Sequence, residues 1–471
     1  MATFQEVFHR YEQFGQAHIF RWYDSLSAAE QRNLLAQAEA IDPETVAWLY
    51  RKREDTVTLP RPKYCQPIPT VRLTEDRREE ARIGEQALKK GKVGFLVVAG
   101  GQGSRLGFPH PKGMFPIGPL SGKSLFQMLA EKILALSRRL QQPLTWLVMT
   151  SPVTDAATRA YFGENRCFGL SPKQIVFFCQ GTLPAVDKQT GKLLLADKGN
   201  LFLSPNGHGG TLTALGDSGL LTRLQQQGIE QLFYFQVDNP LVDLADTRFI
   251  GHHIKTKAQV SSKAVEKQSP EEKTGTFLLF KDRCSMIEYS DMPETMASER
   301  NGDGHLQYRW ANPAIHLFNL AFLKQVYQSA AQIPFHIARK KVPYINDKGQ
   351  KVQPEENNAY KFEMFIFDLL PMAERWAVVE TTREQEFAPV KNAEGPDSPL
   401  TAKQLICDDA ALMLEKAGVT VPRKPSGRLA VPVEVSPLFA LDAEELARKV
   451  RDVTITGPTY LSEKGILEGI R

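Results

Sequence analysis

The chain has 471 residues, of which 42% are hydrophobic and 24% are charged, and its 58 basic and 54 acidic residues leave a formal net charge of +4. This composition is typical of a globular protein with a sizeable core, and the length predicts roughly two to four domains. A balance so close to neutral argues against a nucleic-acid partner. Because no window holds about 18 uninterrupted apolar residues, we also expect no membrane partner.

The first 90 residues are predicted to form a mainly helical N-terminal region. Their opening segment, MATFQEVFHRYEQF, places apolar residues every three or four positions between charged ones. That spacing predicts an amphipathic helix and not a signal peptide. The five cysteines are scattered and form no Cys-x-x-Cys pair, so we expect neither a disulfide framework nor a thiolate zinc site. A cytoplasmic location follows as the expectation.

From Val93 onward, short apolar runs alternate with helical segments. The runs VGFLVV, LTWLVMT, QIVFFC and QLFYFQVD predict strands, and their alternation with helices is the βαβ rhythm of a mostly parallel sheet. The clearest helix begins after Ser124, where SLFQ has the form of a capping box. Leu125, Leu129 and Ile133 then repeat on one face, which we expect to pack on the sheet.

Beyond about residue 376 the alternation fades. One more helix is predicted near TAKQLICDDAALMLEKAG and a short β-rich tail near RLAVPVEVSPLF, which together indicate a small separate C-terminal α+β domain. The sequence therefore predicts three consecutive parts: the helical region over residues 1–90, a central α/β domain over 91–375, and the C-terminal domain over 376–471.

The segment AGGQGSRLG, directly after the first of these predicted strands, is a candidate phosphate-binding loop. Its glycines would let several backbone N–H groups converge on an anion. It departs from the dinucleotide fingerprint, because after Gly101 and Gly103 the next glycine, Gly107, comes one position late. A rival loop, GPLSGKS from Gly118, resembles a Walker A motif with one residue too few. Together with QLFYFQVD as a Walker B-like strand, it keeps a P-loop NTPase open as an alternative.

Two basic residues follow the glycine loop. Arg105 and Lys112 lie within twelve residues of Gly101, and a triphosphate carries about four negative charges that such side chains neutralise. Taken singly, the loop is compatible with an ordinary tight turn and each cation with a solvated surface position. Asp238, at the end of QLFYFQVD, either caps a turn or ligates a metal at the edge where parallel sheets bind ligands. The combination favours nucleotidyl transfer.

Further segments match one enzyme family in collinear order. They are AGGQGSRLG followed by PKGM, CQGTLPAV at Cys179, VDN at Asp238, AVEK at Ala264, IEYSD at Ile287, HIARKKVPYI at His336, KFEMFIFD at Lys361 and REQEFAPVKNAEG at Arg383. From about residue 60 to VEVSPLF the chain resembles the eukaryotic-type UDP-sugar pyrophosphorylases, the UTP:sugar-1-phosphate uridylyltransferases, and within them the N-acetylglucosamine branch. The resemblance implies an α/β fold with a Rossmann-like, GT-A-like nucleotidyltransferase domain, built on a mostly parallel mixed sheet and flanked by small N- and C-terminal domains.

The resemblance also implies a reaction and a set of contacts. UTP and N-acetylglucosamine 1-phosphate would give UDP-N-acetylglucosamine and pyrophosphate, with Mg²⁺ as cofactor on Asp238. Carried over by motif, the catalytic residues are Arg105, Lys112 and Lys391; the UTP-binding residues are Gly100, Gly101, Gln180, Gly207 and Lys112; and the sugar-binding residues are His208, Gly275, Glu288, Asn312 and Phe365. The residues themselves leave Glu288 compatible with a surface carboxylate, Asn312 with a turn residue and Phe365 with a core aromatic.

One position departs from the resembled branch. In SPNGHGG, His208 stands where the N-acetylglucosamine enzymes typically carry asparagine, whereas Gly-His-Gly is typical of UDP-glucose and broad-specificity enzymes. An imidazole and an amide offer different donors, so hydroxyl recognition should differ, unless His208 only bonds the backbone. UDP-glucose or broad UDP-sugar synthesis thus remains an alternative, as does a non-catalytic UDP-sugar-binding protein. The expected partners are UTP and a hexose or hexosamine 1-phosphate, in a monomer or weak homo-oligomer.

Overall fold

A computed structural model describes residues 3–53, 62–329, 333–450 and 453–468. Its helices are, in chain order, α1 (Phe4–Gln13), α2 (Ala28–Ala40), α3 (Pro43–Arg51), α4 (Arg78–Lys89), α5 (Leu125–Leu140), α6 (Asp155–Glu164), α7 (Gly210–Asp217), α8 (Leu220–Gln226), α9 (Thr247–Lys255), α10 (Glu294–Ala297), α11 (Leu320–Gln328), α12 (Arg383–Glu386), α13 (Pro399–Lys416) and α14 (Ala443–Lys449).

The strands are distributed through the whole chain. They are β1 (Cys65–Pro67), β2 (Val93–Val98), β3 (Trp146–Thr150), β4 (Ile175–Cys179), β5 (Thr182–Pro184), β6 (Val186–Asp187), β7 (Leu195–Asp197), β8 (Asn200–Leu201), β9 (Leu203–Pro205), β10 (Gln231–Gln236), β11 (Val260–Glu266), β12 (Thr276–Phe280), β13 (Arg283–Ile287), β14 (Trp310–Ala311), β15 (His316–Asn319), β16 (Phe335–Lys340), β17 (Tyr344–Ile345), β18 (Lys351–Val352), β19 (Ala359–Met364), β20 (Trp376–Glu380), β21 (Val433–Val435), β22 (Thr459–Ser462) and β23 (Gly465–Glu468).

The chain forms two compact units, each assembled from three separate stretches. The small unit comprises Met1–Leu59, Gln180–Ala214 and Ala330–Asp368, and the large unit comprises Pro60–Cys179, Leu215–Ser329 and Leu369–Arg471. These boundaries do not coincide with the predicted ones near 90 and 375. The reason is strand pairing, which joins β19 to β6 in the small unit and β20 to β11 in the large unit, across long separations in sequence.

An eleven-stranded mixed sheet forms the centre of the large unit. Strands β10, β2, β3 and β4 are parallel neighbours in that order, and they coincide with the four apolar runs that predicted strands. On the other side of β10 the antiparallel strand β15 follows, and β11 then pairs with β15 antiparallel and with β20 parallel. The predicted α/β fold with a Rossmann-like core is confirmed. The sheet is mostly parallel only over β10, β2, β3 and β4, because the pairings of β1, β12, β13, β14 and β15 are antiparallel.

Helix α5 covers this sheet as its sequence predicts. The Ser124 side chain accepts a hydrogen bond from the Gln127 backbone N–H at 3.1 Å, which satisfies a donor at the helix start. Leu125, Leu129 and Ile133 are completely buried in the same core cluster as the side chains of β2 and β3. Each such side chain contributes about 1.5–3 kcal/mol through burial.

A buried ion triad joins three elements of the large unit. Lys263 of β11 has a side chain only 1% exposed, and its ammonium group pairs with Asp246 at 2.7 Å and with Glu386. Asp246 also caps α9 by accepting the Phe249 backbone N–H at 3.0 Å. The triad therefore ties the sheet to α9 and α12.

The small unit packs α1 to α3 against a three-stranded sheet in the order β16-β19-β6. Tyr11 of α1 is fully buried, and its hydroxyl donates to the Ala38 carbonyl at 3.0 Å, which joins α1 to α2. Val186 and Tyr360, opposite each other on β6 and β19, belong to the same core cluster. Strand β19 ends at Met364 and so delivers the following residues, 365–368, to one edge of this sheet.

The last part of the chain belongs to the large unit. Helix α13 coincides with the helix predicted near TAKQLICDDAALMLEKAG, and β21 lies in the predicted β-rich tail and pairs with β22. Across the four described ranges, no helix combines the length and the apolar character needed to cross a membrane.

Candidate active site

The glycine loop follows β2 and is held open by its neighbours. The Ser151 hydroxyl donates to the Gly100 carbonyl at 2.8 Å, and the Lys112 backbone N–H donates to the Gly101 carbonyl at 3.0 Å. A Cβ atom on Gly101 would meet no atom within 4 Å, so open space lies beside this residue. The loop can therefore admit a ligand close to its backbone.

Lys112 and Asp238 form an ion pair at the edge of the sheet. Asp238 comes two residues after β10, and because β10 and β2 are parallel neighbours, their carboxyl ends meet at the same edge as the glycine loop. The Lys112 ammonium lies 3.0 Å from the Asp238 carboxylate, and each side chain is 17% exposed. Such shielding from water makes the attraction stronger than in an exposed pair.

Asn239 fixes the segment that leads to Lys391. Its amide donates to the Glu386 carbonyl at 2.7 Å and accepts the Ala388 backbone N–H at 3.0 Å. The next backbone contact runs from the Val390 N–H to the Asp238 carbonyl at 2.9 Å. Residues 386–390 are therefore attached to the end of β10, and Lys391 follows directly after them.

The remaining predicted cations lie at more open positions. The Lys391 ammonium is 3.4 Å from the Asp397 carboxylate, and its side chain is 38% exposed. Arg105 lies in the short turn Ser104–Leu106 after the glycine loop and is exposed. Both side chains are accessible to an anionic ligand.

Three predicted sugar contacts come together in the large unit. The Asn312 backbone N–H donates to the Gly275 carbonyl at 2.9 Å, and a Cβ atom on Gly275 would lie 3.1 Å from a Glu288 carboxylate oxygen. The Asn312 side chain accepts the Ala314 backbone N–H at 2.8 Å, as the turn interpretation of Asn312 predicts. Gly275, Glu288 and Asn312 thus line one small surface.

The other predicted contacts belong to the small unit. Gln180 is buried and precedes Gly181, whose carbonyl accepts the Asn206 backbone N–H at 3.1 Å. Gly207 has φ of +84°, and a Cβ atom there would lie 2.4 Å from the Met364 carbonyl oxygen. Only glycine fits this position without displacing β19.

His208 packs against the end of β19. Its ring stacks on Phe365 with centroids 5.2 Å apart, and Nδ1 accepts the Ile366 backbone N–H at 3.1 Å. Burial, with a smaller effect from His336, lowers the pKa of His208 to about 4. The imidazole is therefore neutral at physiological pH, and because Nδ1 accepts, its proton is on Nε2.

The predicted residues thus fall into two groups. The large unit holds Gly100, Gly101, Arg105, Lys112, Asp238, Gly275, Glu288, Asn312 and Lys391, and the small unit holds Gln180, Gly207, His208 and Phe365. Sequence reasoning missed Asn239 and Asp368. Asn239 lies in the quoted VDN segment and Asp368 in KFEMFIFD, but only the fold reveals their contacts.

The rival loop GPLSGKS is already occupied by the protein itself. The Glu434 carboxylate accepts the Leu120 N–H at 2.7 Å and the Ser121 N–H and hydroxyl at 2.8 and 2.6 Å. Lys123 pairs with Glu131 at 2.5 Å. An internal carboxylate therefore fills the place that a nucleotide phosphate would take in a P-loop, so the P-loop alternative is wrong for this chain.

Replacing Glu434 with alanine should destabilise the fold. Glu434 is 2% exposed, and three donors would lose a charged acceptor, a loss of about 3 kcal/mol. Chemical denaturation measures the effect, with Glu444→Ala as the control because the Glu444 side chain is 86% exposed. An unchanged denaturation midpoint for Glu434→Ala would contradict this account of the loop.

Comparison with known proteins agrees with the geometry. Residues 51–433 match the model of a family described as UTP–glucose-1-phosphate uridylyltransferase. The chain is 37% identical to UDP-N-acetylglucosamine diphosphorylase 2 of Arabidopsis thaliana, over 97% of this chain and 94% of that protein. It is 34% identical to the UDP-N-acetylglucosamine pyrophosphorylase of Saccharomyces cerevisiae, over 92% and 94%.

A solved structure has the same fold over nearly the whole chain. It is the uridine diphosphate N-acetylglucosamine pyrophosphorylase of Trypanosoma brucei in complex with an inhibitor, with a TM-score of 0.82, 28% identity and coverage of 95% of each chain. The matched family model spans the glycine loop, the Lys112–Asp238 pair and Lys391 alike. The chain therefore belongs to the UTP–glucose-1-phosphate uridylyltransferase family.

Proposed function

We propose that this protein joins UTP and N-acetylglucosamine 1-phosphate to give UDP-N-acetylglucosamine and pyrophosphate. The observation that carries the proposal is the Lys112–Asp238 pair, 3.0 Å apart beside an open glycine loop at the carboxyl edge of the sheet. Two relatives, each matched over 94% of its length, are named UDP-N-acetylglucosamine diphosphorylase and pyrophosphorylase, and these names support this choice of sugar. The family description names glucose 1-phosphate, so glucose is the competing substrate.

The phosphate chemistry needs cations more than a general base. A phosphate oxygen of the sugar 1-phosphate attacks the α-phosphorus of UTP, the bond from that phosphorus to the β-phosphate oxygen breaks, and pyrophosphate leaves with the electron pair. The nucleophile is already ionised at neutral pH, so no side chain has to remove a proton. Arg105 and Lys112 hold the triphosphate and Lys391 holds the sugar phosphate, which brings two anions into line. Such positioning contributes roughly 7–11 kcal/mol in favourable cases.

The nucleotide contacts follow the glycine-rich segments. Gly100 and Gly101 accommodate the uracil and ribose side of UTP because the main chain can approach a ligand there. Gln180 and Gly207 help to read the base. The buried amide of Gln180 suits this role, since a uracil ring presents both donors and acceptors along its edge.

Magnesium fits the residues present. Proteins bind Mg²⁺ through one or two carboxylates together with substrate phosphates, and Asp238 offers one carboxylate beside the loop. Within the described ranges there is no group of three or more His, Cys, Asp or Glu side chains that could hold a metal alone. When bound, magnesium neutralises phosphate charge and stabilises the leaving pyrophosphate. Lys112 meanwhile exchanges its contact with Asp238 for the triphosphate.

The sugar is recognised by hydroxyl-binding groups and one aromatic surface. Gly275, Glu288 and Asn312 contact the sugar hydroxyls, and His208 and Phe365 provide a donor beside a half-buried ring. All five cysteines lie in the described ranges and none of them forms a disulfide there, which is consistent with the predicted cytoplasmic location. For the oligomeric state, we keep the prediction of a monomer or weak homo-oligomer.

Pyrophosphate release with UTP and Mg²⁺ tests the proposal. N-acetylglucosamine, N-acetylgalactosamine and glucose 1-phosphates are compared at equal concentration, and we expect the highest kcat/KM with N-acetylglucosamine 1-phosphate. A preference for glucose 1-phosphate would show that His208 outweighs the full-length similarity. No release with any sugar would refute the enzyme and leave the binding-protein alternative.

A further inference from the structure

Four aromatic rings form one cluster of mutual contacts in the small unit. This aromatic wall consists of His208, His336, Phe365 and Phe367. The His336 ring lies 4.4 Å from Phe365, centroid to centroid, and Phe365 lies 5.0 Å from Phe367. The His208 ring stacks on Phe365 with centroids 5.2 Å apart, so Phe365 contacts both histidines.

Backbone bonds hold the His208 loop against the wall. The Gly209 N–H donates to the Met364 carbonyl at 2.8 Å, and the Met364 N–H donates to the Asn206 carbonyl at 2.8 Å. A Cβ atom on Gly209 would lie 2.5 Å from the Phe365 nitrogen. The position of His208 is thus fixed by its backbone and by the ring of Phe365.

The second histidine of the wall, His336, has an acidic partner. The His336 Nε2–H donates to the Asp368 carboxylate at 2.9 Å, and the two side chains are only 17% and 14% exposed. Asp368 lies three residues beyond Phe365 on the same turn, and its backbone N–H donates to the Phe365 carbonyl at 3.1 Å. Asp368 therefore holds the His336 ring, which contacts Phe365, and also bonds to the Phe365 backbone.

We propose that His336 and Asp368 are positioning residues for the sugar site, which hold the faces of Phe365 and His208 in the orientation that selects the sugar. This inference rests on the proposed function, because it takes Phe365 and His208 as the groups that touch the sugar. Neither His336 nor Asp368 contacts substrate in this account. They act by restricting the orientations of the Phe365 ring, which is only half-buried and contacts the His336 ring.

Two substitutions separate the contribution of the Asp368 charge from that of the His336 ring. Asp368→Asn keeps the shape and removes the charge, whereas His336→Gln keeps an N–H donor near Asp368 and removes the ring that contacts Phe365. The matched control is Asp347→Asn, which removes the carboxylate from the exposed Arg21–Asp347 pair of the same unit. For each variant we would measure kcat, KM for UTP, KM for N-acetylglucosamine 1-phosphate and for glucose 1-phosphate, and the thermal midpoint of unfolding.

We expect a selective change in sugar binding. KM for N-acetylglucosamine 1-phosphate should rise about two- to tenfold in His336→Gln, the range that one aromatic contact supports, and less in Asp368→Asn. The ratio of kcat/KM between the two sugars should shift as well. KM for UTP should stay within about twofold, the uncertainty set by small packing changes, and the control should match the parent throughout.

Other results would overturn the proposal. If His336→Gln and Asp368→Asn both keep the parent's KM for N-acetylglucosamine 1-phosphate and the parent's ratio of kcat/KM between the two sugars, the His336–Asp368 pair does not position the aromatic wall. A proportional fall of kcat, of affinity for UTP and of the thermal midpoint would reveal a merely structural role. If the parent protein itself neither releases pyrophosphate nor binds UDP-N-acetylglucosamine by calorimetry, the proposed function fails first and this inference fails with it.

Discussion

Lys112→Ala is expected to lower kcat/KM for pyrophosphate release by about a hundred- to a thousandfold, the cost of one well-placed charge at a reacting centre. Lys112 follows the glycine loop, and its ammonium lies 3.0 Å from Asp238, so its loss removes a positive charge beside the proposed phosphate site. Steady-state kinetics with UTP and N-acetylglucosamine 1-phosphate measure this effect.

The control for this experiment is Lys89→Ala. Lys89 forms an exposed pair with Glu85 on α4, with side chains 53% and 49% exposed, and should leave kcat/KM unchanged. If Lys112→Ala were as active as the parent, Lys112 would not hold the triphosphate and the site assignment would fail.

Lys263→Met is expected to have the largest effect on stability, about 3–5 kcal/mol, because it leaves two shielded carboxylates without their cation. Lys263 is 1% exposed between Asp246 and Glu386. Burial raises the pKa of Glu386, with Lys263 opposing that effect, so the loss of Lys263 should raise it further. Urea denaturation of the full chain measures the change.

The dependence on pH distinguishes this mechanism from simple loss of packing. In Lys263→Met the folded-state pKa values of Asp246 and Glu386 lie above their unfolded values, so the destabilisation is greatest at high pH. It should shrink between about pH 8 and pH 5.5, as the carboxylates take up protons in the folded state. Lys92→Met, which breaks the exposed pair with Glu230, should cost less than about 1 kcal/mol at either pH. A penalty for Lys263→Met that is independent of pH would refute the argument from unpaired charge.

Local sequence patterns were sufficient to predict the central strands of the sheet and helix α5. An uninterrupted run such as VGFLVV has to be buried on both faces, and it is the completely buried strand β2. The spacing of Leu125, Leu129 and Ile133 likewise determined the buried face of α5. The glycine loop and Asp238 could be placed at one edge because parallel strands share their carboxyl ends.

The composition of the small unit and the support of the proposed sugar site depended on contacts between distant parts of the chain. No local pattern indicates that residues 180–214 and 330–368 join the N-terminal helices in one unit. That follows from the pairing of β6 with β19 and from the packing of the helices in the same core. The His336–Asp368 contact spans 32 residues. Neither partner has a distinctive local sequence signal, so the sequence could suggest Phe365 as a sugar contact but not the pair that supports it.

The Glu434 carboxylate in the GPLSGKS loop also sets an order of events during synthesis. Ser121 and its acceptor are separated by 313 residues, and a ribosome adding about 5–20 residues per second needs on the order of 15–60 s to make that stretch. Throughout this interval the Leu120 and Ser121 N–H groups lack the Glu434 carboxylate as an acceptor. The large unit therefore cannot complete this buried contact on a nascent chain until Glu434 has been synthesised.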